Sequence, residues 1–201
     1  MSFAQGFYNL HVESCAYEQK IEAKFKLKTV LHPDEERSSL AARILIFSLN
    51  FSEQLKLSKG LFEPDLPSAF SQDFSDNYLE VFFWGMPSLK IAKKYWGHAP
   101  TAVSVYCDAS ESFHELFKQS IPEITRFASG ARYYRFESDF LTWFGDKLLP
   151  SSFVKINLIE DSVYVDIDQQ HSSSTIKNLD LLEEYQMTLN KGYAIEEADL
   201  S

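Results

Sequence analysis

The run Leu79-Glu80-Val81-Phe82-Phe83-Trp84 constrains this chain more than any other. A segment so apolar and aromatic suits a strand covered on both faces, which puts it at the centre of a sheet. Gly85 and Pro87 then turn the chain, Ser88 supplies a cap, and Leu89, Ala92 and Trp96 form a helical stripe that Gly97 ends. Residues 102–107 give a second buried strand, and because a helix joins the two they run parallel in one sheet.

The rest of the chain is arranged about this unit. Tyr8, Leu10 and Val12 alternate with Asn9 and His11, the mark of a half-buried strand. Ile21, Ala23, Phe25, Leu27 and Thr29 share one face of the next strand, while Glu22, Lys24, Lys26 and Lys28 share the other. The three lysines read as a solvated face that guards an edge, with a phosphate-tracking surface as the second reading. His32-Pro33-Asp34-Glu35-Glu36 opens a helix with Asp34 as its cap, and Leu40, Ile44, Phe47 and Phe51 mark it as the central helix.

Farther on, Lys59-Gly60-Leu61 is a turn and residues 62–75 a long loop carrying Asp65. Ser110 caps a helix containing Phe113, Leu116 and Phe117, residues 132–136 form a strand, and Phe140, Leu141 and Phe144 lie on a helix. Val154, Ile156 and Leu158 face Val163, Val165 and Ile167 in a hairpin about Glu160-Asp161. Residues 171–174 read as a loop and 175–182 as a last strand. The expectation is one α+β domain over residues 1–182, with a mixed central sheet, flanking helices and hairpins, and an acidic tail over 183–201 that is partly ordered at best.

Composition narrows the function. With 45% hydrophobic residues, 17 Phe and 10 Tyr, the chain has material for a packed core. Its net charge of −10 opposes general binding to nucleic acid, although a local basic face is compatible with it. Cys15 and Cys107 read as reduced thiols, and the five histidines show no paired spacing, so neither disulfide nor zinc is expected. No apolar run approaches the roughly 20 residues of a membrane helix, and a cytoplasmic protein is the simplest reading.

The candidate site lies between His32 and Lys94. A carboxylate, an acidic position on the next strand and a nearby lysine are the groups that hold Mg²⁺ against a phosphodiester. Asp65 with Lys93 or Lys94 supplies part of that set, while Arg43, standing in an apolar helical pattern, needs a partner and reads as a structural ion pair or a phosphate contact.

His32-Pro33-x-Glu35, Arg43-x-Leu45, Glu53-x-Leu55, Lys59-Gly60-Leu61, Asp65-x-Pro67 and Gly85-x-Pro87 with Lys93-Lys94 stand in the order and spacing of the YaeQ family, and the chain resembles it from about Tyr8 to Tyr106 and more loosely to Asp168. That resemblance implies a restriction-endonuclease-like core, a variant of the PD-(D/E)XK nuclease fold. It makes Asp65, Lys93 and Lys94 the catalytic positions and Glu35, Arg43 and Lys59 binding positions. Two departures stand out: Phe83 replaces an acid before Gly-x-Pro, and Ser38 and Ser39 replace Glu and Arg early in the first helix. With those acids gone, the expectation is a non-catalytic binding or interaction module with a remnant site, no metal unless at Asp65, and no cofactor. A Mg²⁺-dependent nuclease or phosphodiesterase is the alternative, and the partner is left open.

Overall fold

The aromatic run forms β5 (Tyr78–Trp84), which pairs in parallel with β6 (Ala102–Asp108), Phe82 opposite Ser104 and Trp84 opposite Tyr106. The computed structural model describes residues 6–18, 20–97, 101–109 and 113–199. Helix α2 (Leu89–Gly97) joins the two strands, and Ser88 caps it through a hydrogen bond from the Ile91 amide. Strand β7 (Arg132–Phe136) pairs in parallel with β6, while β3 (Lys56–Leu57) and β4 (Ala69–Gln72) extend the other side antiparallel. With β11 (Lys177–Leu179), the order is β11-β7-β6-β5-β4-β3.

A second sheet corrects the expectation of one central sheet. Strands β1 (Gly6–Ala16), β2 (Ile21–Leu31), β8 (Phe153–Ile159), β9 (Ser162–Ile167) and β10 (Gln170–Thr175) assemble in the order β10-β9-β8-β1-β2. The first hairpin meets the last through a parallel ladder, His11 opposite Phe153. The physical reason is amphipathicity: these strands alternate buried and exposed residues, so they belong to a sheet with one wet face rather than one covered twice. Lys24, Lys26 and Lys28 stand on the exposed face of β2, at the edge, and Lys24 pairs with Glu13 at 2.7 Å.

Helix α1 (Arg37–Leu49) is central, with every residue from Leu40 to Leu49 buried. Its start differs from the expected one. Glu36 is the N-cap residue and makes no capping bond, while the Asp34 amide donates to His32 Nδ1 in the preceding turn. Glu35 is drawn inward to Arg43, and this inward pull, not a cap, sets the approach to the helix. Helix α5 (Ser138–Lys147) packs on α1 at Gly145, where a Cβ would come within 2.6 Å of the Arg37 backbone.

Other segments depart from the sequence reading. The loop carrying Asp65 ends at β4, whose Ala69, Phe70 and Ser71 are buried, and residues 171–174 belong to β10. Helix α3 (His114–Phe117) lies where one was expected, but its cap Ser110 falls outside the described residues. Helix α4 (Ile121–Gly130) was not foreseen; Pro122 opens it, and Ile124 and Phe127 face the core. Of the strand expected over 175–182, Lys177–Leu179 forms β11, and α6 (Leu181–Asp199) follows, held by buried Leu181, an Arg135–Glu184 ion pair and a Phe117–Tyr185 ring contact.

The interior has two parts. One lies between the sheets around α1, and the other lies on the far face of the six-stranded sheet, under α2 and α4.

Candidate functional site

Three of the residues singled out in the sequence converge where α1 meets the Lys59-Gly60 turn. Arg43 is 2% exposed, and its guanidinium is fully engaged by the protein itself. Nε donates to Glu35 Oε1 at 2.8 Å and Nη2 to Glu35 Oε2 at 3.0 Å. Nη1 donates to the Ser58 carbonyl and Nη2 also to the Val30 carbonyl, both at 3.0 Å. Glu35 Oε2 further accepts the His32 amide. Gly60 has φ +62°, and a Cβ there would sit 2.9 Å from Arg43 Cζ, so the turn presses directly on the pair. Lys59 points outward, 3.4 Å from Glu63. This arrangement is a structural clamp joining α1 to the loops beside it.

Asp65 lies on the other side of the six-stranded sheet, beside α2. Its carbonyl accepts the Tyr95 hydroxyl at 3.2 Å. Burial first, then the neighbouring Tyr78 hydroxyl and the Asp65 charge, pushes the Tyr95 pKa well above the ordinary tyrosine value. Phe83, 5% exposed, meets Tyr95 edge-on at 5.5 Å and stacks on Trp96 at 5.9 Å. Position 83 therefore packs against the tyrosine that binds the Asp65 backbone, and it is filled by a ring set among rings. Lys94 lies over the Tyr95 ring at 4.9 Å, whereas Lys93 pairs with Glu123 at 2.8 Å. Ser38, on α1, donates to Glu36.

Glu80 is no substitute for the missing acid. It falls on the opposite face from Phe83, as strand alternation requires, and accepts the Ser71 hydroxyl at 3.2 Å. Among the described residues, no three His, Cys, Asp or Glu side chains gather in a cluster suited to a metal ion.

The alignment of strands also builds a cleft that sequence reading missed. It has a volume of about 520 Å³ and opens between the ends of the two sheets, with Glu80, Ser104, Tyr106, Arg132 and Tyr134 on one wall. The available signal was the period of two that puts Ser104 and Tyr106 on one face of β6; only the register brings Arg132 opposite Ser104.

The family model for the YaeQ protein matches residues 1–176. The chain belongs to the YaeQ family. Its fold resembles the crystal structure of YaeQ protein from Xanthomonas axonopodis pv. citri, with a TM-score of 0.77 at 16% identity over 87% of this chain and 98% of that one. The YaeQ protein from Pseudomonas syringae is similar, with a TM-score of 0.76 at 17% identity over 87% and 96% of the two chains. No curated protein matches. The YaeQ match stops short of α6, which starts at Leu181.

Among the described residues, no helix of this YaeQ-family chain is long and apolar enough to cross a membrane.

Proposed function

We propose that this YaeQ-family chain is a non-catalytic binding module on a restriction-endonuclease-like, PD-(D/E)XK-type core, with Asp65, Lys93 and Lys94 as the remnant of a catalytic site. The observation that carries the reading is Phe83, buried against Trp96 and against Tyr95, whose hydroxyl donates to the Asp65 backbone carbonyl. A divalent cation needs a shell of oxygen donors, and a phenyl ring supplies none. The residues around Asp65 therefore do not fit Mg²⁺. Glu35, at the approach to α1, is already committed to Arg43 and the His32 amide.

The competing reading, a Mg²⁺-dependent nuclease or phosphodiesterase, needs a second carboxylate beside Asp65 and a lysine aimed at the same point. Lys93 is instead tied to Glu123. As for partners, the face of Lys24, Lys26 and Lys28 is partly neutralised by Glu13, and the chain carries −10 overall, so a nucleic-acid partner at physiological salt is disfavoured. Cys15 and Cys107 are unbridged, which fits a reducing, cytoplasmic compartment.

Incubation with single- and double-stranded DNA and RNA in the presence of Mg²⁺ or Mn²⁺ tests the proposal. It expects no cleavage; cleavage abolished by Asp65→Ala would favour the nuclease.

A further inference from the structure

The cleft between the sheets lies on the opposite face of the six-stranded sheet from Phe83, so what it binds is independent of the fate of the Asp65 site. Its floor is assembled from neighbouring strands. Ser104 of β6 and Arg132 of β7 are paired in register, as are Tyr106 and Tyr134 two residues along on the same face. Ser104 is 1% exposed, yet its hydroxyl makes no hydrogen bond to any described residue while facing the cleft. Arg132 also makes no ion pair or hydrogen bond with a described residue, although its charge acts on the Tyr106 hydroxyl. The Tyr106 oxygen accepts the Asn50 amide at 3.1 Å, which fixes that wall.

The opposite rim has the other sign. Glu18, Glu160 and Asp161 line it from the ends of the five-stranded sheet, and Glu80 adds a fourth carboxylate on the Arg132 wall. A purely anionic ligand would face four carboxylates, and a purely cationic one would leave Arg132 opposed to it. A ligand with both charges at opposite ends satisfies both walls. The volume of about 520 Å³ lies within the usual range for small-molecule sites, roughly 300–1,000 Å³.

We infer that this cleft is a binding site for a small amino-acid-like zwitterion, its carboxylate held by the Arg132 guanidinium and the Ser104 hydroxyl and its cationic end by the acidic rim. The Arg132 fork suits a carboxylate geometrically as well as electrostatically.

Calorimetric titration of the full chain with L-arginine tests this, with citrate and spermidine as anion-only and cation-only probes. The expected result is saturable L-arginine binding, weakened about tenfold or more by Arg132→Ala, the loss of one charge-assisted contact. Both control probes should bind more weakly than L-arginine. Arg132 is exposed, so its replacement leaves the core intact, and Glu160→Gln on the far rim provides a second variant that should also weaken binding. Absence of saturable L-arginine binding, binding unchanged by Arg132→Ala, or citrate or spermidine binding as tightly as L-arginine would overturn the assignment.

Discussion

Phe83 meets Tyr95 edge-on, their ring centroids 5.5 Å apart, and the same tyrosine donates its hydroxyl to the Asp65 carbonyl. One aromatic residue thus links the substituted position to the backbone of Asp65. The contact makes position 83 part of the packed core, and an edge-to-face pair of this kind adds about 0.5–1.5 kcal/mol beyond burial.

The Glu35–Arg43 clamp gives the first prediction. Replacing Arg43 with Leu leaves Glu35 buried without its counter-charge, and should cost about 3–5 kcal/mol in equilibrium denaturation. Replacing both residues with apolar ones should cost less than the sum of the single changes, because neither charge is then stranded. Additive losses would show that the two act separately.

Tyr106, Tyr133 and Tyr95 give a prediction in alkali. Burial is the leading reason that each is pushed above the ordinary tyrosine value. A folded pKa above the unfolded one, about 10, means the folded chain holds the proton more tightly. That stability is fully present below about pH 10 and is lost as the pH rises beyond it. Ultraviolet titration should therefore show these three tyrosines ionising late, together with unfolding, and all ten titrating in one early step would contradict it.

Helix α6 gives a third. Its described contacts come from its first turns, through Leu181, Glu184 and Tyr185. Leu181→Ala should cost about 2–5 kcal/mol, whereas removing residues 191–201 spares these contacts and should leave the unfolding free energy within about 0.5 kcal/mol. A larger loss on truncation would show that the helix docks along more of its length.

These expectations also mark what the sequence could and could not reveal. The pairing of β5 with β6 was legible because Val81, Phe82 and Phe83 leave no polar face and a helix of suitable length follows. The Arg43 ion pair was legible because a charge inside an apolar helical stripe must find a partner. The division into two sheets was not, since it depends on β1 finding β8 across most of the chain. Strand β10 was hidden because His171 and three serines carry little β-propensity, and the ladder with β9 supplies what they lack. The Ser104–Arg132 pairing is a product of register between strands that no local motif spans.

Calorimetric titration with Mg²⁺ and Mn²⁺ tests the central claim, that Phe83 has closed the metal site. The unmodified chain should show no measurable binding. Phe83→Glu should gain Mn²⁺ affinity while losing stability, because a charge then stands where a ring was buried. Strong binding by the unmodified chain, abolished by Asp65→Ala, would contradict the account and restore the nuclease reading.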